Sequence, residues 1–271
     1  MERFGAVVFD VETYRTREAE VVERLTREAI AKRPAESAKK DVKSQWDTSA
    51  ARQARADEAV GSTSVDVTLA EVVCICAGAP GGEAEFTCSG DDEVATLHRA
   101  ADWLDNVAGP DTVWAGHNIA GFDLSILLNR WRRFGIRPPR HFPVYAGGRW
   151  RGRVFDTMTR IPSRSGFVSL EEACRMHRVP MRDVMWRGDA VDGSRVGALV
   201  DAGEWTVLEV YCGEDVAAEG RLYEALTLGG AWGCFDRGIW EQVSELRGAS
   251  GLSDGARALA IVALLERSGV I

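Results

Sequence analysis

Residues Ala6-Val-Val-Phe-Asp10-Val-Glu12 are apolar on both alternating faces until the run meets two carboxylates. Successive side chains of a strand point to opposite faces, so a strand apolar on both must be covered on both. That requirement points to a layered α/β architecture with helices on either side of a sheet. Asp10 and Glu12 stand two apart and therefore share a face. At the carboxyl end of a central strand, where ligands of open α/β sheets bind, two such acids repel strongly without a cation between them.

The rest of the 271-residue chain supports one large α/β unit. Strands are expected at 71–78, at 83–88 as a hairpin partner across Pro80-Gly81-Gly82, at 112–116 and at 153–157. Helical spacing of Val94, Leu97, Ala101 and Leu104 predicts a helix over 92–107, capped by Asp91 or Asp92. A second helix is predicted over 121–134, with Phe122, Ile126, Leu127, Trp131 and Phe134 on its apolar side; Pro138-Pro139 stops it. Ser169 and Glu172 form a capping-box pattern for a helix at 170–177, and a long helix follows over 206–226. Two shorter helices are expected after Gly230.

Residues 14–70 separate two apparently adjacent strands by far more than an ordinary connection. Rich in Ala, Glu, Arg and Lys, the segment reads as a helical hairpin with helices near 17–33 and 47–59, leaning over the site. A mobile loop is the competing reading. The domain division is thus 1–228, with this insertion at about 14–70, followed by a helical C-terminal extension over 229–271.

Net charge is −8, yet Leu124–Phe155 holds eight arginines and no acid, leaving −16 elsewhere. A basic ridge beside an acidic cluster suits a polyanionic ligand and a cation together. Arg149 and Arg151 flank Trp150 in a Gly-containing loop and are the best phosphate-binding candidates; Tyr145 and Trp150 are the candidate stacking platforms. No long apolar run or signal-like leader is present, so a cytoplasmic protein without membrane association is expected. The six cysteines include no Cys-x-x-Cys pair and read as reduced, buried thiols; no His or Cys cluster is expected to compete for metal.

Two further acidic motifs follow in order. Gly116-His-Asn-Ile-Ala-Gly-Phe-Asp123 brings an acid to a helix start, and Tyr211-Cys-Gly-Glu-Asp215 places a phenol and an acid on one helical face. With Phe9-Asp-Val-Glu-Thr13, these motifs resemble those of the DEDD superfamily of 3′–5′ exonucleases. Tyr at position 211, four before the last Asp, is similar to the tyrosine-bearing branch, within which the chain most resembles the exonuclease domain of family B DNA polymerases. Secondary likenesses are Arg137-Pro-Pro139, Val154-Phe-Asp-Thr-Met158, Ser169–Cys174 and Val191–Val196.

The resemblance covers roughly 1–13 and 71–228. It implies a ribonuclease-H-like fold with a mixed five-stranded sheet, and a two-metal hydrolysis of single-stranded DNA from its 3′ end, releasing nucleoside 5′-monophosphates. Asp10, Glu12, Asp123 and Asp215 would hold two Mg²⁺ or Mn²⁺ ions, and Tyr211 would orient the attacking water. Oxygen ligands of this kind suit hard cations. Thr13 and Asn118, beside the metal ligands, are expected to position the terminal nucleotide. His117 and Asp156 are expected to be structural. A polymerase or other DNA-processing partner would supply the context. Two alternatives remain: an exoribonuclease resembling ribonuclease D, and a non-catalytic nucleic-acid-binding module.

Overall fold

The computed structural model describes residues 4–33, 39–46, 48–144, 153–162 and 166–227. Five strands form a mixed sheet: β1 (Ala6–Tyr14), β2 (Glu71–Gly78), β3 (Phe86–Ser89), β4 (Val113–Gly116) and β5 (Val154–Asp156), in the order β3-β2-β1-β4-β5. β2 lies antiparallel to β1 and β3, whereas β4 runs parallel to β1 and β5. The doubly apolar segment is indeed the central strand, and it runs on past both acids to Tyr14.

Alternation divides the core into two layers. Val7, Phe9 and Val11 face α4 (Glu93–Val107) and α5 (Asp123–Arg133), packing with Leu97, Leu104, Trp114, Trp131 and Phe142. Val8 faces the other side, with Cys74, Cys76, Ala115 and residues of α8 (Val196–Ala202) and α9 (Trp205–Thr227). A bulge skips Val73 opposite Glu12/Thr13, and so sets Cys74 and Cys76 on the α9 side. The short α6 (Thr157–Arg160) follows β5, and α7 (Leu170–Met176) packs against the second half of α9 through Ala173, Cys174, Ala218 and Leu222. Gly220 lets α9 pass close to the β2–β3 turn: a Cβ there would lie 3.1 Å from the Gly81 nitrogen.

Caps agree with the sequence pattern. Asp92 accepts the Ala95 N–H at 3.0 Å, and Ser169 accepts that of Glu172 at 3.2 Å. Two positions expected in the core are instead exposed, Val94 and Phe134. Phe134 lies at the C-terminal end of α5, where the Arg130 guanidinium covers its ring. The hairpin strand begins at Phe86 rather than 83.

The insertion is helical, with α1 (Ala19–Ala31), α2 (Lys40–Trp46) and α3 (Ser49–Gly61), one helix more than predicted. Its apolar core is slight; Ala56 is the buried residue of α3 and α1 has none. Arg55 compensates by donating to the carbonyls of Ala29, Trp46 and Ala51 while stacking on Trp46, so one guanidinium joins all three helices. The insertion is moored through Glu18, which pairs with Arg130 and Arg133. Asn129 donates to the Val67 carbonyl at 2.9 Å. The predicted extension over 229–271, including its two helices, lies outside the described residues.

Candidate functional site

β4 stops pairing with β1 at Val8, two residues before Asp10. Beyond that point one side of β1 lacks a strand partner on the β4 side, and the chain leaving β4 turns away into α5. Asp123, the first residue of α5, closes the gap: its Oδ1 accepts the Val11 backbone N–H at 3.2 Å. The turn between is held by Asp156 at the end of β5. Its carboxylate accepts the N–H groups of Asn118, Ala120 and Met158, each at 3.1 Å. Asn118 adopts the left-handed conformation, φ 60°, that this turn demands.

The four acids predicted from the three motifs converge here. Asp10, Glu12 and Asp123 interact electrostatically with one another, and Asp215 joins from α9. Burial raises the Asp10 carboxyl from 3.8 to about 6. Burial and then the neighbouring carboxylates hold Glu12, Asp123 and Asp215 well above the usual range. Tyr211 lies against Asp215; burial, followed by the Asp215, Glu12 and Asp10 charges, pushes its phenol above 10, so it stays protonated and can donate.

A fifth acid belongs to this cluster and was not singled out from the sequence. Glu219 is buried and interacts with Asp10, Asp123 and Asp215. Its Oε1 accepts the His117 N–H at 2.9 Å, while among the described residues Oε2 has no hydrogen-bond partner; neither does Oδ1 of Asp215. The signal was present in the spacing, since Tyr211, Asp215 and Glu219 are successive i, i+4 positions on α9. His117 is structural, as expected. Burial lowers its pKa, so the neutral ring donates Nε2–H to the Val168 carbonyl (2.7 Å) and accepts from the Thr157 hydroxyl at Nδ1 (2.9 Å).

The expectation that no cysteine cluster competes is corrected. Cys74, Cys76 and Cys212 bring their sulfurs within 4.8 Å of one another, and Asp10, Glu12 and Cys212 form a second such group. In the β1–β2 register Asp10 is opposite Cys76 and Glu12 opposite Cys74, so the thiols are lateral neighbours of the acids. A Cys-x-Cys pair in a strand shares a face, which a search for Cys-x-x-Cys does not reveal. The five described cysteines are all buried and free, as predicted.

Thr13 donates its hydroxyl to the Ser64 carbonyl at 2.6 Å, tying β1 to the turn after α3. Three arginines of the basic ridge are committed to acids. Arg130 is buried in a two-pronged pair with Glu93, Arg133 pairs with Glu18, and Arg140 with Asp105. Arg149, Arg151, Tyr145 and Trp150 lie outside the described residues. A cleft of ≈ 560 Å³ instead runs from Tyr211 and Asp215 along α7, with Arg175 and Arg182 on its walls. No family model, curated protein or solved structure matches the chain. Among the described residues no helix is long and apolar enough to cross a membrane.

Proposed function

We propose that the chain is a metal-dependent 3′–5′ exonuclease acting on single-stranded DNA, built on a ribonuclease-H-like sheet. One observation carries this reading: Asp10, Glu12, Asp123 and Asp215, drawn from three separated segments, interact in one site, where the Asp10 charge adds to burial in raising the carboxyls of Glu12, Asp123 and Asp215. A cluster with this much unbalanced charge stores repulsion that only protons or cations relieve.

The donor set suits hard divalent ions. It is rich in carboxylate oxygens, and one buried oxygen each of Asp215 and Glu219 has no donor among the described residues. Asp10, Glu12, Asp123 and Asp215 would hold Mg²⁺ or Mn²⁺, which when bound supply an activated water and charge neutralisation at a phosphodiester. Asp123 is already oriented by the Val11 N–H. Tyr211, neutral and held beside Asp215, positions the water by donating or accepting a hydrogen bond; its high pKa makes it unsuited to take a proton. Glu219 fixes the turn after β4 through His117. The cleft beside α7 offers the strand a path to Tyr211, with Arg175 and Arg182, paired with Glu172 and Glu214, on its walls.

The preference for DNA, the 3′ polarity and a polymerase-like partner rest on the motif resemblance. The test is release of labelled mononucleotide from 3′-labelled single-stranded DNA and matched RNA, with Mn²⁺ and with chelator. Metal-dependent mononucleotide from the DNA is expected. Binding without cleavage would leave the non-catalytic module, and faster loss of the RNA would favour the ribonuclease-D-like alternative.

A further inference from the structure

We propose that Cys74, Cys76 and Cys212, together with Asp10, form a site for a thiophilic divalent cation such as Zn²⁺ or Cd²⁺. The site adjoins the carboxylates of the proposed hard-ion centre and shares Asp10 with it.

The three thiols approach the spacing of a tetrahedral ion, and Asp10 meets the group at Cys212. With Zn–S near 2.3 Å and Zn–O near 2.0 Å, a regular tetrahedron separates two sulfurs by about 3.8 Å and a sulfur from an oxygen by about 3.5 Å. Cys74 Sγ and Cys76 Sγ stand 4.0 Å apart, and Cys212 Sγ stands 3.5 Å from Asp10 Oδ2. All three sulfurs lie within 4.8 Å of one another, so small rotations about χ1 bring them onto one ion. The backbone fixes this approach. Cys74 and Cys76 are on one face of β2, Asp10 is the register partner of Cys76, and α9 sets Cys212 over both strands.

Buried thiols often serve merely as small apolar side chains. Cys88 and Cys174 illustrate that case, because each is buried away from the group. Cys212 differs in directing its sulfur toward a carboxylate oxygen and toward two other sulfurs, an arrangement that core packing does not require. On binding, each ligating thiol gives its proton to solvent, and soft sulfur donors select Zn²⁺ or Cd²⁺ over Mg²⁺. Asp10 retains partial exposure and provides the approach from solvent. If the nuclease reading holds, an ion seated here withdraws Asp10 from the hard-ion centre, and Zn²⁺ inhibits where Mn²⁺ activates.

The full chain, loaded with one equivalent of Zn²⁺ and freed of excess by gel filtration, is measured by zinc-edge X-ray absorption. Three sulfur neighbours near 2.3 Å and one lighter neighbour are expected. Fewer than three sulfurs overturns the proposal, and this readout needs no variant. In a parallel Cd²⁺ titration the thiolate charge-transfer band should weaken at least tenfold in apparent affinity in Cys212→Ala and Cys76→Ala, checked for folding by circular dichroism. An unchanged band in both folded variants also overturns it. A zinc shell without sulfur leaves the nuclease reading standing, whereas absence of DNA cleavage leaves the absorption result untouched.

Discussion

Replacing Asp10 with Asn is expected to stabilise the metal-free protein at pH 8. Burial raises the Asp10 carboxyl from 3.8 to about 6. A group whose folded pKa is raised favours the folded state fully below about pH 4, and that contribution is lost as pH rises through about 6. A rise of that size corresponds to about 3 kcal/mol lost at pH 8. Partial solvent exposure and the loss of the Cys212 thiol's carboxylate acceptor reduce the net gain to about 1–2 kcal/mol. For a domain of this size that is a rise in Tm of about 3–6 °C. The assay is thermal unfolding with chelator at pH 8, pH 5 and pH 4. The advantage of Asp10→Asn should fall by about half or more at pH 5 and be nearly gone or reversed at pH 4. Saturating Mn²⁺ should reverse the order at pH 8, since a hundredfold excess over Kd adds about 2.7 kcal/mol to the protein that binds it. An Asn variant less stable than wild type at pH 8, or a difference independent of pH, would refute the burial of the Asp10 carboxylate on which this rests.

Glu219→Gln keeps an acceptor for the His117 N–H while removing the buried charge; Mn²⁺ affinity by calorimetry should fall about 10- to 100-fold. Unchanged affinity would reduce Glu219 to a loop anchor. Tyr211→Phe should lower the rate of mononucleotide release on the order of 10²-fold, with Mn²⁺ affinity retained; complete loss together with metal binding would contradict a water-positioning role. Arg130→Ala leaves Glu93 buried without its guanidinium partner and should destabilise by about 3–5 kcal/mol in urea unfolding. A loss below about 1 kcal/mol would show that the pair is structurally idle.

The central strand, the caps at Asp92 and Ser169 and the principal acids were legible because each depends on near neighbours in sequence. Periodicity determines the face of Asp10 and Glu12, and a cap needs a span of only three residues. What escaped depends on pairing between distant segments. Phe134 has core spacing, but α5 ends at Arg133 and its ring stays exposed, with the Arg130 guanidinium over it. Arg130 belongs to a run of arginines that reads as a solvent-facing ridge, and only the position of Glu93 on α4 reveals a buried pair. The trithiol group required the β1–β2 register, its bulge at Val73 and the placement of α9, none of which a local pattern encodes. Glu219 was discoverable from helical spacing alone, yet its burial against the acids follows from α9 crossing the sheet.

Tyr14 and Glu71, the last residue of β1 and the first of β2, are partners in the same ladder. The excursion between them therefore departs and returns at one place, and for the sheet it is equivalent to a hairpin loop. Closing a loop grows only slowly more unfavourable with length. Lengthening the three-helix segment accordingly costs the β1–β2 pairing little, whereas its removal would also take away Glu18, the partner of Arg130 and Arg133. The strand pairing itself, rather than the length of chain between its two members, therefore sets where the acidic platform stands.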